Sequence, residues 1–351
     1  NTTGELTAVG MQALKSNTTG LGNYAFGFAT LINNTTGSGN AAFGGYHSGS
    51  TLPSLYSNTT GSYNTTLGWK AGYSNSIGSS FTSIGQQSGY TYNANNATEA
   101  FGTVFVGAAA GYSTSTGHDN TFLGGSSGYT NSTGNYNTAV GAGSLQSNTT
   151  ASYNTAVGYQ AAYANSTGAS NTAVGYLSLY SNSVGSNTIA IGYQALYNNT
   201  ESNNTAVGWS ALAANTNGSP NDAFGRQALK SNTSGSQNSA FGKNSLYANT
   251  SGSNNAAFGS LSLSANTTGG SNTSVGYQSL ASNTTASNNT AVGYQAGYSN
   301  TIGSYNTLLG YQAGYTSNNT VFNAVGNTLI GAYSGYSLTT GYGNTFVGSS
   351  D

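Results

Sequence analysis

Charge is nearly absent from this sequence. Its 351 residues include 5 Lys plus Arg and 6 Asp plus Glu, a charged fraction of 3%, where an average soluble domain has about 25%. Gripping a phosphate backbone means neutralising many phosphates with Lys and Arg, so nucleic acid is excluded as a partner. Five scattered cations equally exclude long-range capture of an anionic membrane or an acidic substrate. Cysteine is missing altogether, which removes disulfide frameworks and thiolate zinc sites. No stretch approaches the roughly 18 consecutive apolar residues of a membrane-spanning helix, and no charged start with an apolar run marks a signal peptide. The chain opens at Asn1 without Met and reads as a mature or trimmed segment. Disorder is also unexpected: disordered chains are rich in charge and Pro and poor in aromatics, whereas here there are two prolines and 12% aromatics.

Catalytic material is equally thin. His47 and His118 are the only histidines, and Glu5, Glu99, Asp119, Glu201, Asp222 and Asp351 are dispersed along the chain. Acid/base pairs and oxygen-rich metal cages need such groups side by side, so no catalytic, cofactor-binding or metal-ligating residue is expected and the chain does not read as an enzyme. His118 beside Asp119 reads as a solvated turn. Arg226 and Lys243, one repeat apart with Lys230 nearby, form at most a small contact for an anion.

What the sequence has is glycine, 52 residues, and tyrosine, 27, in a strict rhythm. A Val, Phe, Leu or Ile followed by Gly recurs at Gly10, Gly27, Gly44, Gly68, Gly85, Gly107, Gly124, Gly141, Gly158, Gly175, Gly192, Gly208, Gly225, Gly242, Gly259, Gly276, Gly293, Gly310, Gly331 and Gly348. Fifteen of the nineteen intervals between these marker glycines are 17 residues; the others are 24, 22, 16 and 21. Repeats built from helix pairs need 33 residues or more, and a unit rich in Gly, Asn and Thr suits short strands and turns better than helix. The fold expected is all-β: one continuous parallel β-solenoid over 1–351, of about 20 coils with a 17-residue repeat. At a strand spacing of about 4.8 Å, the coils would stack into a rod on the order of 95 Å long.

The columns of the repeat differ in chemistry. The large apolar residue before each marker is the expected core, with Ala or Ser three after it, as at Ala71, Ser88 and Ala195. Ala stands two before the marker in most units, and Phe105, Phe122, Leu308, Leu329 and Phe346 in others. Successive strand residues face opposite ways, so both faces of this strand read as buried, which a thin coil achieves by packing against further copies. Self-association, as a homotrimer or filament, is the partner expected.

Asn occupies the position four before the marker in 16 of 20 units, and another Asn column runs seven after it. Stacked amides bond from coil to coil and suit turns. The second column also carries Asn-x-Ser/Thr triplets at Asn17, Asn34, Asn131, Asn148, Asn165, Asn232, Asn249, Asn266 and Asn283, with Asn58 equivalent after an insertion. These ten are the candidate glycosylation sites, and covalent N-linked glycans along an exposed turn are the only non-protein groups expected. Insertions near 46–54, 91–103 and 316–326 lengthen three repeats and would project as loops.

Asn154-Thr155-Ala156-Val157-Gly158 and Asn187-Thr188-Ile189-Ala190-Ile191-Gly192 resemble the repeats of trimeric autotransporter adhesin heads, and the full unit is similar to repeat arrays of bacterial and phage tail-fibre-like proteins. The resemblance implies a left-handed parallel β-roll, a homotrimer, and an extracellular, cell-surface or virion-surface fibre. The 17-residue unit is longer than the adhesin head's usual repeat. Function is thus expected to be structural. The alternatives are an adhesin that stacks cell-surface glycans on exposed aromatics (Trp69, Trp209, Tyr159, Tyr176, Tyr193) and an ice-binding solenoid using the Thr column (Thr138, Thr155, Thr172), which Tyr24, Ala41, Asp222 and Ala256 interrupt.

Overall fold

A computed structural model describes residues 5–44, 52–93, 102–316 and 323–349. Among them the regular structure is twenty short strands and turns, without a helix. The chain divides into two compact units, Asn1–Leu177 and Ser178–Asp351. The first holds ten strands, from Thr7–Val9 to Thr172–Val174, and the second another ten, from Ile189–Ile191 to Thr345–Val347. Within each unit every strand pairs in parallel with the strand one repeat away, so that equivalent residues lie side by side. Thr138, Ala139 and Val140 align with Thr155, Ala156 and Val157 in the first unit, and Asn221 to Phe224 with Asn238 to Phe241 in the second. Each unit is a parallel β-solenoid with one strand per coil.

Insertions leave this register intact. Ala41 pairs with Thr65, Thr82 with Val104 and Thr307 with Thr328, so the strands on either side of each insertion keep equivalent residues side by side. Most of the three insertions, with His47 among them, lies outside the described residues. The short 16-residue coil closes differently. Asn199 Nδ2 donates to Glu201 O, two residues on, at 2.6 Å, where other members of the column reach three residues on, as Asn215 does to Gly218 O.

The marker glycines are a steric requirement. Gly158 has a φ of 135°, and a Cβ on it would lie 2.5 Å from the carbonyl oxygen of Gly175 in the next coil. Only glycine combines that backbone conformation with so close an approach.

The interior lies on the other strand face from the one expected. Val157, Phe258 and Leu309, all immediately before a marker, are 36%, 40% and 44% exposed, while Ala156, Ala257 and Leu308, one residue earlier, are fully buried. Strand parity supplies the reason. Residues two apart share a face, so whichever side takes the Asn four before the marker also takes the residue two before it. That Asn is buried at 1% or less from Asn23 to Asn327. The core is therefore Ala, Ser, Phe or Leu two before the marker, Ala or Ser three after it, and Leu or Gly four after it. The Val/Phe/Leu/Ile column, with the Thr three before the marker, looks outward.

Size is matched across this narrow interior. Where Ala139 or Ala173 stands two before the marker, Leu145 or Leu179 fills the position four after it; where Phe105 or Phe122 stands there, the partner position is Gly111 or Gly128. A Cβ on Gly128 would lie 2.4 Å from the Phe122 ring, and one on Gly335 2.6 Å from Leu329.

Candidate functional site

Both asparagine columns turn inward and hydrogen-bond. In the first, the backbone N–H of Asn154 donates to Asn137 Oδ1 at 3.0 Å and that of Asn171 to Asn154 Oδ1 at 2.9 Å. In the second, Asn148 Nδ2 donates to Asn131 Oδ1 at 2.6 Å and to Ala151 O at 3.0 Å. The columns meet on one acceptor: Asn238 and Asn249 Nδ2 both donate to Gly252 O at 2.9 Å. A neutral buried hydrogen bond contributes about 1 kcal/mol, and a buried amide left without a partner costs about 1–3 kcal/mol. This repeated network is the polar half of the core.

The ten candidate glycosylation asparagines belong to this second column. Asn34, Asn58, Asn131, Asn148, Asn165, Asn232, Asn249, Asn266 and Asn283 are all 0% exposed, and Asn17 is half-buried at the first described coil. Among the buried nine, Asn34, Asn148, Asn232, Asn249, Asn266 and Asn283 each spend both amide protons inside the coil. The triplets are chemically suitable, but the folded corner presents their Thr and Ser residues outward and not the Asn.

The outer surface carries ladders of another kind. One residue after the marker, Tyr159 and Tyr176 stack at 5.5 Å in the first unit, and Tyr277, Tyr294 and Tyr311 stack at 5.5 and 5.2 Å in the second. Beside them Gln278, Gln295 and Gln312 form an amide chain, with bonds of 2.8 and 2.7 Å. A second tyrosine column, five after the marker, runs Tyr73, Tyr90, Tyr112 and Tyr129, with Tyr56 equivalent after an insertion, at 5.0–5.4 Å spacing. Burial, followed by the neighbouring phenols, pushes the Tyr73 and Tyr112 hydroxyls above the ordinary tyrosine range. Phe224, Phe241 and Phe258 form a third stack, at 4.7 and 4.9 Å, on the outward strand face. Near-parallel stacking at this spacing covers ring faces and leaves edges and hydroxyls toward solvent, so a ladder offers a flat platform for a sugar only where it is interrupted.

The few charges cluster on aromatics. Lys70 Nζ lies 4.3 Å from the Trp69 ring centre. Arg226 Cζ is 5.0 Å from Trp209, and Lys230 Nζ 5.9 Å from Trp209 and 5.6 Å from Tyr247. Sequence reasoning placed Arg226, Lys230 and Lys243 together but missed that Trp209 joins them, although it precedes Arg226 in the same column. His118 Nδ1 is 2.9 Å from Asp119 Oδ2, the one ion-pair contact among the described residues. No group of three His, Cys, Asp or Glu side chains converges among the described residues, and no helix is long and apolar enough to cross a membrane. The Thr column lies outward in register, Thr138 beside Thr155 beside Thr172. No protein-family model, curated protein or solved structure matches this chain.

Proposed function

We propose that the chain is a structural segment of an extracellular fibre (a surface filament, adhesin shaft or phage tail fibre) in which copies lie side by side as a homotrimer of left-handed coils. The observation that carries this reading is the outward apolar column before the marker glycines, represented by Val9, Leu67, Leu123 and Val157 in the first unit and Ile191, Phe258, Val275 and Leu309 in the second. Scattered exposed apolar residues are ordinary, but a contiguous apolar patch beyond a few hundred Å² marks an interaction surface. A net charge of −1 provides no repulsion to keep copies apart. The resemblance to tail-fibre and adhesin-head repeats points the same way, and the reading assigns the chain no catalytic step.

Native mass measurement tests this. The expected result is a threefold multiple of the 35.2 kDa chain mass. Val157→Asp combined with Phe241→Asp should return the chain to a monomer while its β-sheet circular dichroism persists. A wild-type chain that stays monomeric at high concentration would defeat the reading.

A further inference from the structure

The tyrosine column five after the marker breaks at one place in the second unit in a way that creates a site. Tyr180 and Tyr197 stack at 5.1 Å. The next rung is Ala213 and the one after it Lys230, as the backbone bonds Asn198 N to Ala213 O and Ala214 N to Lys230 O show. With a ring missing, an open notch of about 270 Å³ remains, bordered by Tyr197, Asn198, Ala213, Ala214, Lys230 and Gln194. Ligand pockets for drug-sized molecules begin at about 300 Å³, so this notch suits one ring. The column is interrupted elsewhere, at Ser264 and Ala281, but there the flanking rungs Tyr247 and Tyr298 are both neutral.

Two chemistries face the gap. On one side is Tyr197, whose ring has no tyrosine on the Ala213 side to cover it. On the other is Lys230, which borders the notch and whose ammonium lies 5.9 Å from the Trp209 ring centre and 5.6 Å from that of Tyr247, with Arg226 close to the same Trp209 ring. Neither cation lies within ion-pair distance of a carboxylate among the described residues, where the one such contact is His118 with Asp119. Two rungs at the strand spacing of about 4.8 Å separate Tyr197 from the Lys230 coil, which leaves the thickness of one ring between them. Stacking on an aromatic face is strongest for flat apolar faces, and a charge-assisted bond to an ammonium adds to it.

We propose that the notch at Ala213 binds a single six-membered ring bearing one acidic group, with the ring on Tyr197 and the acid on Lys230. Such a ring comes from two sources, a hexuronate of an acidic polysaccharide or an aromatic carboxylate. The site does not depend on the fibre reading. In a Trp69→Tyr chain, Trp209 is the only tryptophan, and its fluorescence reports on Arg226 and Lys230. Glucuronate and 4-hydroxybenzoate are titrated into the millimolar range, with glucose and phenol as neutral counterparts. The expected result is a saturable change with one acid and not with its neutral counterpart, and the responding acid identifies the source. Lys230→Gln should weaken binding about tenfold. Ala213→Tyr, which places at this rung the residue that Tyr197 and Tyr247 already supply in the same column, should abolish binding while the melting temperature holds or rises. Absence of saturation with both acids, equal response to a neutral ring, or undiminished binding in the Ala213→Tyr chain would each overturn the proposal.

Discussion

Phe81 and Tyr92 pack against each other inside one coil, with ring centres 5.3 Å apart, at the two positions where the preceding coil carries Asn64 and Asn75. The following coil carries Thr103 and Thr114 at the same positions. Both residues are exchanged in this coil, where in other coils the two asparagines share one carbonyl acceptor, as Asn238 and Asn249 share Gly252 O. The backbone half of the ladder survives the exchange: Phe81 N–H still donates to Asn64 Oδ1 at 3.2 Å. Here the exchange takes both members of a pair facing across the coil, whereas Thr188 replaces the first asparagine alone and leaves Asn199 in place.

The same pairing makes a double substitution informative. Gly128→Leu should destabilise by about 1–3 kcal/mol or more through overpacking against Phe122, and Phe122→Ala by about 3–5 kcal/mol through the cavity left behind. Combined, they reproduce the Ala139 with Leu145 arrangement of the next coil, where Leu145 already adopts a φ of 47°. The double variant should therefore lose much less than the sum of the singles. Additive losses in chemical denaturation would show that the two positions do not share a volume.

Inside and outside can be separated by neighbouring residues of one strand. Ala156→Asp places a charge in the closed interior and should cost several kcal/mol, whereas Val157→Asp, facing outward, should cost the monomer about 1 kcal/mol or less. Melting curves of the two variants, at a concentration where the chain is monomeric, check this. The reverse ranking would return the core to the Val column.

The period, the strand at each marker and the all-β class were legible in the sequence because a glycine at φ near 130° beside another backbone admits no substitute, and therefore repeats without error. The side of the strand facing in was not. Thr155-Ala156-Val157 assigned by hydrophobicity alone puts Val inside, and only the burial of Asn154, two residues before Ala156, fixes the parity the other way. The amide ladders were legible as stacked columns; that they point inward was not, since Asn at a corner usually faces solvent. The exchange of Phe122 and Gly128 for Ala139 and Leu145 stood in the sequence as a paired change, as did the missing tyrosine at Ala213. The first becomes meaningful once Phe122 and Gly128 are known to touch across the interior, the second once the tyrosine column is known to stack on the outer surface.

Alkaline pH should weaken the tyrosine-laddered coils. The Tyr73, Tyr112 and Tyr315 hydroxyls are held above the ordinary tyrosine range, first by burial and then by adjacent phenols that disfavour a row of phenolates. A pKa raised on folding contributes stability that is complete below the unfolded value and is lost as pH climbs through the folded value. Stability should thus be flat up to about pH 10 and fall above it. Ultraviolet phenolate titration should show late-ionising tyrosines whose delay vanishes in denaturant. A single transition identical in folded and denatured chains would contradict this.

The buried amide column also predicts where covalent modification stops. Asn148 Nδ2 has one proton on Asn131 Oδ1 and the other on Ala151 O, so a glycan there must break one bond and force an opening through the wall of the coil. The same holds for Asn232, Asn249, Asn266 and Asn283, which repeat both bonds. Asn17 differs: it is half-buried, and the one bond its Nδ2 donates among the described residues is to Gly20 O at 3.0 Å. Peptide mapping of folded chain from a glycosylating host should therefore find these five interior sequons bare and Asn17 the most readily occupied of the ten. Glycan mass on Asn148 or Asn249 in material that retains its melting transition would mean that the corner opens without unfolding the coil, and that the ladder contributes less than its bond lengths imply.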